Sequence, residues 1–362
     1  MDIIVHRDNL DRALAMVERT TAKNAALPIL SNILLRAEEG RLLLSATNLE
    51  VGVTASIGAK VQHEGRIAVP GRILSDLVRA SRADVVSLTT NQNTLSVRVG
   101  DYQTTILCFD AAEYPIIPKL EGGITTHIPI GTLQNLLSTA IDAISTSDAR
   151  PELAGAFFRM SDTSITLAAT DSFRLAEKTE PHQGGENISM IIPRVAVGEL
   201  LRILSGLSGE VILRTVNNQL AVSHEEFEFV SRLVDGKYPD YQKVIPDRCI
   251  SKVLVRKDDI ANAIKVAALF SSSVADVKIE CGEALMKISA RNASRGEGEA
   301  TLAANLKGDP FDISLNHHYL SDGLKVILTE RVILEFTGKG SPFVMKPDNQ
   351  DPVVYLVMPL RG

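Results

Sequence analysis

Apolar residues recur at every second position in Leu42, Leu44 and Ala46, and again in Ile165, Leu167 and Ala169. Each run then meets a pair of turn-forming residues, Thr47 with Asn48 and Thr170 with Asp171. Period-two patterning that ends in such residues predicts a strand and its exit. The two phrases, LLLSATNLEV and TLAATDSFRLAE, stand 123 positions apart from threonine to threonine. A weaker echo, MKISARN, puts Arg291 in the threonine place 121 positions after Thr170. One phrase used three times at a near-constant interval predicts one folding unit used three times.

The helical pattern repeats with it. Leu10, Leu14 and Val17 follow the short apolar run IIVH; Leu133, Leu137 and Ala140 follow HIPI; Ile260, Ile264 and Ala267 follow VLV. Spacing of i, i+4, i+7 places each trio on one helix face. Asp8, Thr132 and Asp258 stand where an N-cap or a first-turn acid belongs. A second strand-to-helix passage follows in RIAVPGRILSDLVRAS, MIIPRVAVGELLRILS and ISLNHHYLSDGLKVI, with Pro70, Pro193 and Asn316 in register at intervals of 123. A proline there is expected at the start of the helix, where its missing N–H costs nothing.

Hairpins close each copy, turning at Asn91 to Asn93, at Asn217 and Asn218, and at Gly338 to Gly340. The tails AAEYPIIP and DGKYPDYQKVIP match at an interval of 124 and read as linkers between domains. The expected fold is therefore α+β: three repeated domains, 1–121, 122–248 and 249–362, each with two helices packed on antiparallel sheet. Matched sheet edges let such domains continue strand to strand, and a head-to-tail contact between identical chains closes the row into a ring.

Composition narrows the chemistry. The 362 residues are 45% apolar and 23% charged, the mixture of an ordered globular chain, and Trp is absent, so the cores must be aliphatic. Cys108, Cys249 and Cys281 are widely spaced with no CxxC, which argues against a disulfide framework or thiolate metal site and predicts inert thiols in a reducing compartment. The N-terminus has no signal-like segment and no apolar run is long enough to span a bilayer, so a cytoplasmic protein without membrane contact is expected.

His224, Glu225 and Glu226 begin like HExxH, but Glu228 occupies the second histidine position. No GxxxxGK or GxGxxG occurs, and no cofactor or metal is implied. The net charge of −6 argues against a chain that coats nucleic acid by bulk positive charge. Arg12, Arg72, Arg79, Arg82, Arg194, Arg202, Lys265 and Lys325 nevertheless fall in or at the ends of the predicted helices. A shared helical face would attract phosphates without reading bases.

LPILSNILL at 27–35, ATDSFRLA at 169–176, VDGKYPDYQKVIP at 234–246 and the terminal VMPLR, in that order, resemble the bacterial sliding clamps, the beta subunits of DNA polymerase III. The resemblance runs through the whole chain. It implies a non-catalytic head-to-tail homodimer ring around duplex DNA, helices lining the hole, which keeps the replicative polymerase on its template. Implied partners are the polymerase catalytic subunit, the clamp loader, translesion polymerases and mismatch-repair proteins.

The resemblance also implies a peptide-binding groove between the second and third domains. It would be built from Leu153, Thr170, Ser172, Phe173, Arg174, Leu175, Pro239, Lys243, Val244, Leu356, Met358, Pro359, Leu360 and Arg361. For DNA it implies Lys23, Asn24, Arg72, Arg79, Arg150, Arg194 and Arg202, and for the dimer seam Thr104 and Ile106 facing Leu269 and Phe270. Ser172 and Phe173 depart from the Gly and His frequent in relatives, and Lys243 from Arg. Two rival readings use the same residues: an enzyme with Asp171 and Arg174 at a domain junction, and a ring or filament that binds no DNA.

Overall fold

The computed structural model describes residues 1–21, 27–147 and 149–360, so Lys23, Asn24 and Arg361 lie outside the described residues. Among those described, six α-helices form: α1 (Arg7–Val17), α2 (Gly71–Ala80), α3 (Ile130–Ala140), α4 (Arg194–Leu204), α5 (Lys257–Ala268) and α6 (His317–Val326). The predicted helix faces are the buried ones. In α1 Leu10, Ala13, Leu14 and Val17 are inside, and in α5 Ile260, Ala263, Ile264 and Ala267. Each buried Leu or Ile contributes about 1.5–3 kcal/mol of transfer free energy.

Helix starts meet the expectation at the acids and differ from it at the prolines. Asp8 and Asp258 are first-turn acids, with His6 and Arg256 in the cap positions. Pro70 and Pro193 end strands and immediately precede α2 and α4 instead of opening them. Asn316 is a true cap: its side-chain oxygen accepts from the His318 N–H at 2.9 Å.

The chain divides into two compact units, Met1–Leu133 with Gly198–Leu233, and Gln134–Val197 with Val234–Gly362. The first unit holds a five-stranded sheet, from Lys60–His63 through Asp2–His6, Val85–Asn91 and Thr94–Val99 to the edge strand Tyr102–Leu107. It also holds an eight-stranded sheet in which Phe227–Arg232, from the second repeat, pairs antiparallel with Val51–Gly58, from the first, Phe229 opposite Val53. The second unit has a nine-stranded sheet in which Val353–Val357, from the third repeat, pairs with Arg174–Pro181, from the second, Leu356 opposite Leu175. Its four-stranded sheet has Gly296–Ala303 at one edge. Strand pairing across repeat boundaries explains why the compact units are not the repeats: the shared sheets bind the first repeat to half of the second, and the third to the other half.

The tails do more than link. Tyr114 is buried with Ile29, Leu30 and Ala68, and Tyr238 and Tyr241 are buried with Leu153, Leu175 and Leu356. No helix among the described residues is long and apolar enough to cross a membrane.

Candidate functional site

The turn between strands Ser164–Thr170 and Arg174–Pro181 is built by its own side chains. The Thr170 hydroxyl donates to the Arg174 carbonyl at 2.6 Å and accepts from the Ser172 N–H at 3.1 Å. Asp171 Oδ1 accepts from the N–H groups of Phe173 and Arg174 at 2.9 and 3.0 Å. This Asx-type turn sets Ser172 at φ 78°, a left-handed conformation that few non-glycine residues adopt, and lifts Phe173 outward with 60% of its surface exposed. The earlier copy is wired identically: Thr47 bonds Val51 and Leu49, Asn48 bonds Glu50 and Val51, and Leu49 has φ 75°.

Arg174 anchors the turn to α6. Its guanidinium donates to Asp171 at 3.1 Å and to Asp322, lies 4.6 Å from the centroid of the Tyr319 ring, and reaches the Tyr355 hydroxyl at 3.5 Å. Phe173 also stacks on Tyr319, with ring centroids 6.5 Å apart. Burial pushes the Asp322 carboxyl up, but hydrogen bonds from Lys325 and Arg174 outweigh it and hold it below its ordinary value.

Below the turn the groove floor is closed. Leu153, Leu175 and Leu356 keep 2%, 2% and 1% of their surface and pack with Ala168, Ile191, Tyr238, Tyr241 and Val344. The Tyr238 hydroxyl accepts from the Thr170 N–H at 3.1 Å, and that of Tyr241 donates to Glu177 at 2.6 Å. Accessible apolar surface is therefore on the rim: Phe173 and Val244 are exposed, and Pro239, Met358, Pro359 and Leu360 are half-buried. The Met358 N–H donates to the Phe173 carbonyl at 2.8 Å, which fixes the C-terminal segment beside the turn. Lys243 is exposed and pairs with Asp240, at 2.9 Å. Arg150 reaches the Ser172 hydroxyl at 3.3 Å and Glu152 at 3.1 Å.

Another concavity, of about 540 Å³, lies where α1 ends. Arg12, Arg19, Arg79 and Arg202 line it. Arg202 donates to the carbonyls of Ala15 and Met16 and to Glu199, capping the last turn of α1. Arg79 pairs with Asp11 at 2.9 Å and Glu18 at 3.6 Å. Arg12 bonds only Asn9, and Arg19 has no hydrogen-bond or ion-pair partner among the described residues. Arg194, in the other unit, donates to the carbonyls of Ile141 and Ile144 at 2.7 and 2.8 Å, so its charge is spent on a helix end.

Three models of one family match this chain in tandem: the N-terminal domain of the DNA polymerase III beta subunit over residues 1–118, the central domain over 127–240 and the C-terminal domain over 242–361. A solved sliding clamp from Bartonella birtlesii, DNA polymerase III subunit beta crystallised with griselimycin, is 30% identical with a TM-score of 0.94, each chain covered in full. The chain belongs to the DNA polymerase III beta subunit family. A beta sliding clamp from Staphylococcus epidermidis is 28% identical, covering 100% of this chain and 99% of that relative. The Thermotoga maritima beta subunit is 26% identical with a TM-score of 0.95, over 100% of this chain and 99% of that one. The protein is thus a DNA sliding clamp of three clamp domains, a processivity factor of replication and not an enzyme.

Membership in the clamp family directs attention to the sheet edges. Strand Tyr102–Leu107 is an edge as expected, with Thr104 half-exposed, but Ile106 points inward at 4% exposure. Alternation turns Leu107, at 79% exposure, to the face opposite Ile106, and Tyr102 is 62% exposed at the start of the strand. Leu269 is 65% exposed just beyond α5, whereas Phe270 lies half-buried across Gly298 so closely that a Cβ there would sit 2.3 Å from the ring. Sequence reasoning missed Arg19, legible only as a lone cation at the helix exit. It also missed Tyr238 and Tyr241, although for Tyr238 the matched tyrosine-proline pair of the two tails was a usable signal.

Proposed function

We propose that two copies of this chain close head to tail into a ring around duplex DNA, seam strands Tyr102–Leu107 and Gly296–Ala303 pairing between copies. The domains are those the repeat defines, 1–121, 122–248 and 249–362. DNA is held weakly and without base readout, by Arg12, Arg19, Arg72 and Arg79 with Arg150 as a further contact, so that enclosure rather than affinity keeps the ring in place. Arg72 supports this role because it is 88% exposed and only loosely paired, 3.8 Å from Asp76. Arg194 and Arg202 act by holding helix ends.

The rim around Phe173, Val244, Met358, Pro359 and Leu360 receives short peptides of the polymerase catalytic subunit and the clamp loader, and also of translesion polymerases and mismatch-repair proteins. An apolar rim beside a rigid turn suits peptides that insert Leu or Phe anchors. The observation that carries this reading is the Thr170–Arg174 turn, fixed by five side-chain hydrogen bonds within it and tied through Arg174 to the Asp322 carboxylate, beside the apolar cluster. The site of action is the cytoplasm, where replication proceeds.

Retention on DNA tests it. The protein is loaded by a clamp loader onto nicked circular plasmid, washed at high salt, and the plasmid is then linearised. Persistence on the circle followed by release on cutting is expected. Release by salt alone would mean ordinary electrostatic binding and end the ring reading.

A further inference from the structure

The first unit carries a cleft of about 690 Å³ that the peptide groove does not include. Its floor is the outer face of three neighbouring strands, with Leu34, Leu43 and Thr54 pointing into it. The second repeat has the same face and fills it. Phe157, 123 positions after Leu34, stacks on Tyr238 with centroids 5.1 Å apart, and Tyr241 sits edge-on to Phe157 at 6.2 Å.

The first repeat keeps one of these three rings. Tyr114, in the place of Tyr238, is buried with its hydroxyl 3.1 Å from the Asn32 carbonyl. Ile117 stands where Tyr241 would be, 124 positions earlier, and lies against Gly52. The cleft is the space that the missing ring pair would occupy.

Its charges are polarised. Arg36 and Arg66 are direct cross-strand partners, and like charges directly opposite destabilise a sheet unless an anion lies between them. Glu38 lies 3.2 Å from Arg36, whereas Arg66 and Lys119 have no ion pair among the described residues. Across the sheet, beyond strands Arg41–Thr47 and Val51–Gly58, the lining turns acidic at Glu225 and Glu228. We propose that this cleft is a second peptide-docking site. It takes a short extended segment of a partner protein that inserts one aromatic ring and sets an adjacent carboxylate between Arg36 and Arg66. The molecule supplies its own example of such a segment, since Asp240 immediately precedes the ring of Tyr241.

The probe is a synthetic peptide with the sequence of residues 234–245 carrying Tyr241→Trp, titrated with full-length protein. The chain contains no Trp, so the emission reports the peptide alone. Saturable binding is expected, weakened roughly tenfold by Arg66→Glu, the loss of one charge-assisted hydrogen bond. The double variant Leu34→Phe, Ile117→Tyr refills the cleft and should abolish binding while its Tm stays at or above that of the parent. No saturable binding, or binding indifferent to Arg66→Glu, overturns the proposal. So does binding that survives in a folded double variant.

Discussion

Arg174 shows how one residue holds a functional surface. Its side chain is 13% exposed, and its carboxylate partners Asp171 and Asp322 are 16% and 18% exposed. Removing one member of a largely buried ion pair leaves the others uncompensated, which costs about 3–5 kcal/mol where burial is complete. With this residual exposure Arg174→Ala should lose about 3 kcal/mol, read from the urea midpoint, and weaken clamp-binding peptides as the turn loosens. Asp322 has a folded pKa held below 3.8, so its contribution is fully present above 3.8 and is lost as pH falls through the folded value. The stability gap between parent and variant should therefore narrow below pH 3.8; a gap that stays constant through strong acid would place the stabilisation elsewhere. Asp171 spends both oxygens on the turn and Arg174, so it is not a free base for an enzyme. The sequence made Thr170, Asp171 and Arg174 legible because the phrase repeats. It did not reveal Asp322, 148 residues away, because no local pattern specifies which distant carboxylate a buried arginine meets.

Helices and strands were legible from periodicity, but the duties of charged residues on them were not. A positive charge in a helix reads the same in sequence whether it faces a phosphate or a carbonyl. Arg194 shows the difference: it bonds two carbonyls where Ile141–Ala143 follows α3, and the group it leaves on truncation is backbone that water must reach. Arg194→Ala should lower stability by about 1–3 kcal/mol and leave the salt dependence of DNA binding as it was. The double variant Arg12→Ala, Arg19→Ala should do the reverse, with unchanged Tm and a salt slope smaller by about 2, one unit for each phosphate no longer neutralised. Equal slopes for the two variants and the parent would remove Arg12 and Arg19 from the DNA surface. The elements' partners were likewise hidden: the turn phrases predict a hairpin, yet not that Val353–Val357 completes a sheet begun far earlier in the chain, at Arg174–Pro181.

At the scale of the whole molecule the question is what covers the sheet edges. The repeat could be inferred from matched phrases, but the facing of an edge residue depends on register, and a slip of one position exchanges inside for outside. That is why Ile106 looked like a seam residue and Leu107 is the one at the surface. An edge strand flanked by Tyr102 and Leu107 invites pairing unless a partner occupies it, and Gly296–Ala303, the other proposed seam strand, alternates exposed Glu297 and Glu299 with small residues that let a neighbour approach. Leu107→Lys changes a side chain that is 79% exposed, so folding stability should move by no more than about 0.5 kcal/mol. A lysine buried against a second copy, by contrast, carries a desolvation cost that association must overcome. Sedimentation velocity should then find the variant as a folded monomer at concentrations where the parent is a dimer, and loading onto circular DNA should fail with it. A Leu107→Lys chain that still sediments as the parent does would mean that this strand is not the seam, whatever the fate of the peptide groove.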